Sequence, residues 1–329
     1  MGAPLTPRCV VGLGVFALLL SAAALASAGD GRYVLIVSGA AGGHEYHAQY
    51  RRWTSELSRT LTERMKIDPA RVTVLSDQPP AGTAATAANV RRVTASLGER
   101  MKSDDMLVVV LIGHGTFDGV DAKFNLTGPD LESAEWSALL RPLPGRVVVV
   151  NTTAGSFPFL ERLAGPRRIV ITATDSIGQR FDTVFPEYFI RALADDAADL
   201  DKNGRISIWE AFVAAGGGVR RHYRQRGQLA TERPLIDDNG DGIGTEASNM
   251  GDDGSLASRT YLDPAVPGAA PTDEVLLKLL QRKATLELEV DELKIRKTFL
   301  TPADYAREFE RIMIELARVS SDIRERVKS

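Results

Sequence analysis

The residues whose types and spacing can do chemistry fall in two places. The first is Gly113-His114-Gly115, which follows directly on the apolar run Met106–Ile112. Such a run, short, β-branched and without alternation, reads as a strand buried on both faces, the signature of a parallel sheet. It delivers an imidazole to a strand's carboxyl end, the edge where ligands and reacting groups collect in open α/β sheets. A second run, Arg146–Val150, empties into Asn151-Thr152-Thr153-Ala154-Gly155-Ser156-Phe157. If the two strands are neighbours, His114 faces Thr152 and Thr153 across one crevice.

The second place is Asp199-Leu200-Asp201-Lys202-Asn203-Gly204-Arg205-Ile206-Ser207-Ile208-Trp209-Glu210, which has the spacing of an EF-hand calcium loop. Asp199, Asp201 and Asn203 offer oxygens at positions 1, 3 and 5, and Gly204 takes the turn at 6. Arg205 gives its carbonyl at 7, Ser207 stands at 9, and Glu210 closes bidentately at 12. The competing reading is an Asp-rich turn between helices that folds without metal. A second acidic loop, Asp237-Asp238-Asn239-Gly240-Asp241-Gly242, repeats the opening but has Ser248 at the closing position. It reads equally as a weak calcium site or a plain Gly/Asp turn. His44 and His47, in His44-Glu45-Tyr46-His47, fall one residue short of the His-Glu-x-x-His zinc spacing; at i and i+3 they can still offer two ligands on one face, but surface or capping roles are the favoured reading.

These groups need elements to position them. Tyr33–Val37, Val72–Leu75 and Ile169–Thr174 read as further strands. Tyr46, Tyr50, Trp53, Leu57, Leu61 and Met65 recur at helical spacing, Asn89 is placed to cap a helix carrying Val90, Val93, Leu97 and Met101, and short helices are expected at 134–140, 159–163 and 187–193. Strands alternating with helices predict a doubly wound α/β domain with Ser38, His114, Thr152 and Thr174-Asp175 along its crevice. Gly216-Gly217-Gly218 predicts a kink or break, since each glycine costs a helix about 1 kcal/mol against alanine. Residues 248–271, rich in glycine, alanine and proline, read as a linker or surface-hugging loop. Two helices follow within 272–329. The second repeats apolar residues from Tyr305 to Ile323 at steps of four and three, and its seam is expected to close within a helical hairpin.

The chain has 329 residues, 44% of them hydrophobic, with a net charge of -3, so it can bury a full core and carries no basic footprint for nucleic acid. Arg8, the apolar stretch Cys9–Leu25 and Ala26-Ser27-Ala28 read as a signal peptide over 1–28, predicting a secreted or periplasmic protein with no stable membrane span. Cys9 is the single cysteine, so the mature chain would have no thiol or disulfide.

A buried strand ending in His-Gly, followed by a strand ending in Thr-Thr-Ala-Gly-Ser, resembles the caspase-like fold and specifically the legumain-like cysteine peptidases. The resemblance covers roughly Arg32 to Gly244. It implies a caspase-like, mostly parallel α/β sheet over 29–195, completed by the calcium-loop region 196–247. It also implies that His114 is the general base, that the Gly115 backbone NH belongs to an oxyanion hole, and that Thr152 occupies the nucleophile's position. There the sequence departs from the family, which has cysteine. A threonine hydroxyl ionises far less readily than a thiol, and its methyl group crowds the approach to a carbonyl. The expectation is an exported, calcium-binding pseudopeptidase that holds an extended peptide or protein segment without cutting it. The alternatives are an active peptidase using His114 with Thr152 or Ser156, and a non-catalytic, calcium-stabilised envelope module.

Overall fold

All seven residues of Met106–Ile112 are buried, and the neighbouring strands share that pattern. In this computed structural model, which describes residues 31–78, 83–179, 181–249, 251–264 and 274–328, the run is the third strand of a six-stranded sheet. We number the strands β1 (Arg32–Ser38), β2 (Val72–Leu75), β3 (Met106–Ile112), β4 (Gly115–Phe117), β5 (Ala122–Phe124), β6 (Leu131–Glu132), β7 (Arg146–Asn151), β8 (Arg168–Thr172) and β9 (Leu235–Asp237). The large sheet has the order β2-β1-β3-β7-β8-β9, parallel throughout except at the β8–β9 edge. The expected signal segment 1–28 lies outside the described residues, as does 265–271 of the expected linker.

The period-two alternation of a strand divides each buried run between two cores. Val108, Val110, Val148, Val150, Ile169 and Ile171 join the core under α1 (His44–Arg59), α5 (Phe185–Ala194) and α6 (Ile208–Gln225). Leu107, Val109, Leu111, Val147, Val149 and Val170 join the core under α2 (Ala87–Arg100), α3 (Ser133–Leu140) and α4 (Phe157–Leu163). Each such side chain removed from water stabilises the fold by about 1.5–3 kcal/mol. The result is the expected doubly wound, mostly parallel α/β sheet. Its winding direction reverses between β1 and β3, and that switch point is where crevices open in such sheets.

Several expectations are corrected. Thr86, not Asn89, caps α2: its Oγ1 accepts the Asn89 NH at 3.3 Å. β4, β5 and β6 form a separate antiparallel sheet just after His114 that the residue pattern does not reveal, because its strands are only two or three residues long. Gly216-Gly217-Gly218 does not break α6, which runs unbroken through Gln225. A β-carbon on Gly218 would lie 2.3 Å from Tyr188 Cδ1, so glycine there lets α5 and α6 meet closely. Of the stretch 248–271, expected as a linker or surface-hugging loop, the described residues 251–264 pack against the domain. Asp253 Oδ1 accepts the Asp238 NH at 3.0 Å, Thr260 O accepts the Ile208 NH at 2.8 Å, and Ala257 and Leu262 are buried.

The hairpin is present as α7 (Glu274–Arg296) and α8 (Pro302–Lys328). Ile312, Val319 and Ile323 of α8 and Leu286, Val290 and Leu293 of α7 are buried together in the first core. Arg282 bridges Glu289 and Glu315 along the hairpin.

Candidate functional site

β3 and β7 are hydrogen-bonded parallel neighbours, with Leu111 opposite Asn151, so the turns bearing His114 and Thr152 emerge side by side. They meet backbone to backbone. A β-carbon on Gly155 would lie 2.8 Å from the Gly115 carbonyl carbon, and one on Gly115 would lie 2.3 Å from Thr153 Oγ1. Glycine at both places is what allows the two turns to touch.

His114 is held from three sides. Its Nε2 lies 3.1 Å from the Ala41 carbonyl, across the switch point, and its Nδ1 lies 3.1 Å from Asp182 Oδ1. Tyr46 packs edge-on against the ring at 4.7 Å between centroids, with Tyr50 at 5.6 Å. Both polar partners are acceptors, so the ring makes both contacts only with a proton on each nitrogen. In that state it has no lone pair with which to accept a proton from a hydroxyl. Tyr46 hydrogen-bonds Asp182, and that bond with the carboxylate's charge pushes the phenol pKa up.

Of the hydroxyls expected near His114, those of Thr152 and Ser156 are committed elsewhere and that of Thr153 is buried. Thr152 is 2% exposed, and its Oγ1 donates to the Leu111 carbonyl at 2.7 Å. Ser156 is fully buried; its Oγ accepts the NH groups of Ala173 at 3.0 Å and Thr174 at 3.2 Å, and lies 3.0 Å from Thr174 Oγ1. Thr153 Oγ1 is buried without a hydrogen-bond partner, and Asn151 Oδ1 accepts the Thr153 NH at 3.1 Å. Only about 10 Å³ of space remains among Tyr46, Tyr50, Trp53, Ala154 and Asp182. Ser38 is buried at the end of β1, and Asp175 pairs with Arg233 at 2.8 Å.

Asp182 and its neighbours are the part of the site that sequence reasoning missed. Thr183 Oγ1 donates to the Thr152 carbonyl. The carboxylate of Glu232 accepts the NH groups of Val184 at 2.8 Å and Phe185 at 3.2 Å, and the Tyr223 hydroxyl at 3.1 Å. Burial pushes the Glu232 carboxyl up to about 7 against these bonds. The segment 182–185 is therefore fixed at each residue over the mouth of the crevice. The sequence signal was weak: an aspartate in the loop after β8, far along the chain from the histidine it meets.

In the acidic loop, one oxygen each of Asp199, Asp201 and Glu210 lies within 4.8 Å of the others, forming a buried triad that can hold a metal ion. Glu210 Oε1 accepts the NH groups of Leu200 at 2.8 Å and Asp201 at 3.2 Å, and Oε2 accepts those of Ser207, NH and hydroxyl, both at 2.8 Å. Burial, and then the charge of Asp201, push the Glu210 carboxyl up to about 7. A cation among these oxygens would offset both causes. Gly204, at φ +82, takes the turn and donates its NH to Asp199 Oδ2 at 3.0 Å. Asn203 sits beside the triad, with Nδ2 2.9 Å from Asp201 Oδ2 and its Oδ1 accepting the Arg205 NH at 2.8 Å. The Arg205 side chain turns away to Asp263 and stacks 3.9 Å over the Tyr261 ring. Ser207 caps α6 through a reciprocal box with Glu210, an arrangement that also serves the metal-free reading.

In the second loop, both oxygens of Asp237 accept backbone NH groups, from Gly240 at 2.7 Å and Gly242 at 2.8 Å. Asp238 likewise accepts from Gly254 and Ala257. His47 lies 3.7 Å from Asp77, while His44 is exposed.

No protein-family model matches this sequence, and no curated protein matches it. Among solved structures, the chain is similar to protein GSU0716 from Geobacter sulfurreducens, at 17% identity and a TM-score of 0.42, over 63% of this chain and 92% of that one. Among the described residues, no helix is long and apolar enough to cross a membrane.

Proposed function

We propose that this protein is a legumain-like, caspase-fold pseudopeptidase that recognises an extended peptide or protein segment at the β3–β7 crevice without cleaving it. The observation that carries the reading is the state of Thr152, a buried hydroxyl at the nucleophile's position that donates its proton to the Leu111 carbonyl. Ser156, the other candidate, is enclosed by its contacts with Ala173 and Thr174. His114, clasped between Ala41 and Asp182, has no exposed hydroxyl to activate. Recognition then falls to the rim, where Val120, Ile177 and Phe181 are exposed on loops at the carboxyl edge of the sheet. Exposed apolar side chains on such loops suit a protein ligand.

We further read the loop 199–210 as an EF-hand-type calcium site. The supports are its buried, all-oxygen triad and its ligand spacing, since hard oxygen donors suit calcium. Export would place it where millimolar calcium suffices to fill a weak site.

The test is incubation of the purified chain, with calcium, against a fluorogenic peptide library and a serine-directed covalent probe. The expected result is no turnover and no labelling. Cleavage that disappears on Thr152→Ala would overturn the inactive reading and restore the active peptidase.

A further inference from the structure

The seven-residue repeat of α8 has two flanks, and α7 covers one of them. Toward α7 the helix buries Ile312, Val319 and Ile323, and the row beside that seam is acidic: Glu308, Glu315 and Asp322. Glu315 pairs across the hairpin with Arg282 at 2.6 Å. The row on the opposite flank is Ala306, Met313, Ser320 and Val327, again one residue per heptad and none of them charged. α8 packs chiefly on α7, which leaves this row open: Met313 and Val327 are each 40% exposed, Ala306 is exposed, and the adjoining Phe309 and Leu316 are only partly buried. A solvated flank of such a helix carries charges, so four uncharged residues in register describe a second seam with nothing on it.

The next row outward is Glu310, Ala317 and Arg324, all exposed. Arg307 pairs with Asp304 and Glu308 with Arg311, whereas neither Glu310 nor Arg324 has an ion-pair partner among the described residues. The two stand about 21 Å apart along the helix, too far to meet within one chain. Ala317 is midway between them. Rotating a second α8 about a twofold axis through Ala317 sets Glu310 of each copy opposite Arg324 of the other. It also brings Met313 level with Ser320, and Ala306 level with Val327, to within about 1.5 Å, so that a large side chain faces a small one at each level. A parallel copy would instead set Glu310 against Glu310 and Met313 against Met313. The face is complementary to itself in charge and in volume, and only when the second copy runs antiparallel.

We propose that the outer face of α8 is a homodimer interface, in which two copies of the chain pair antiparallel about Ala317 with Glu310 of each against Arg324 of the other. It does not depend on the function proposed for the β3–β7 crevice. The contact runs about 32 Å along one helix from each copy, which places it at the small end of specific interfaces and calls for micromolar self-association.

The test is sedimentation velocity of the purified chain from about 1 to about 200 μM, over which monomer should give way to dimer. Glu310→Arg and Arg324→Glu each put like charges together at two symmetry-related points, and each should weaken association on the order of tenfold. The double exchange should restore it, a rescue that misfolding cannot produce. Ala317→Glu, which sets two carboxylates face to face on the axis, should leave only monomer. Since these positions are exposed in the monomer, thermal midpoints of the variants at about 1 μM should stay close to that of the unmodified chain. A chain that remains monomeric throughout, a dimer indifferent to the single substitutions, or one that the double exchange fails to restore would overturn the proposal. A monomeric chain that sediments with phosphatidylglycerol vesicles would overturn it too, and would assign the face to a bilayer surface.

Discussion

Glu232 anchors the strap over the crevice with a carboxylate that burial disfavours, so pH should act directly on that anchor. Its carboxyl is pushed up from the usual 4.5 to about 7. For a group whose pKa is higher in the folded than in the unfolded chain, the stabilisation is fully present below 4.5 and is lost as pH rises through 7. That displacement corresponds to about 3 kcal/mol between pH 4.5 and pH 8. Glu232→Gln removes the titration while keeping the shape. With its oxygen in the Oε2 position, the amide still accepts the Val184 NH at 3.1 Å and the Phe185 NH at 3.2 Å, and gives up the shorter Val184 contact made by Oε1 at 2.8 Å. Tyr223 can accept from the new NH2 by turning its own proton to Thr231 Oγ1, 3.2 Å away.

The assay is urea unfolding in chelator at a series of pH values for both proteins. Asp253, which burial pushes up to about 6, contributes with the same sign in each, as does Glu210, so the difference between the two curves isolates Glu232. The unmodified chain should lose stability from pH 4.5 to pH 8 relative to Glu232→Gln by about 3 kcal/mol. Parallel curves, or a difference that grows as pH falls, would refute the reasoning.

Three further outcomes follow from the geometry. Thr152→Val should cost about 1 kcal/mol in unfolding free energy, the worth of the hydroxyl's bond to Leu111, whereas Thr152→Ser should retain most of it; denaturant midpoints at constant m-value check this. Gly218→Ala should destabilise by about 1–3 kcal/mol, because its methyl group meets the Tyr188 ring, as differential scanning calorimetry would show. Calcium at about a hundred times its dissociation constant should stabilise the chain by about 2.7 kcal/mol, and Asp201→Asn, which removes a charge from the triad, should reduce that gain; a thermal midpoint insensitive to calcium and chelator would leave the loop as a capped turn.

The sequence by itself determined the sheet and the metal-capable loop. Buried parallel strands are written as uninterrupted β-branched runs, because both faces must be apolar, and Met106–Ile112, Arg146–Asn151 and Arg168–Thr172 are such runs. The carboxylates of Asp199, Asp201 and Glu210 are brought together by local turn geometry, so their spacing along the chain was enough to predict that they converge. The two-residue and three-residue strands β4, β5, β6 and β9 carry too few residues for a period to register, and only their packing defines them.

The remainder was decided by contacts between segments distant in sequence. The composition of 248–271 left a linker and a surface-hugging loop equally open, and in 251–264 an aspartate and a threonine find backbone partners beside β9 and α6. The glycine triplet looked like a helix break, yet tertiary packing outweighs its propensity, with Gly218 admitting Tyr188. Asp182 meets His114, and Glu232 meets the start of α5, only because the sheet order brings their loops to one edge. Whether a hydroxyl beside a histidine is exposed or spent on a neighbouring carbonyl depends on a side-chain rotamer and the strand next to it. No pattern of residue types encodes that choice; here the packing of β3 against β7 makes it, and Thr152 donates to Leu111.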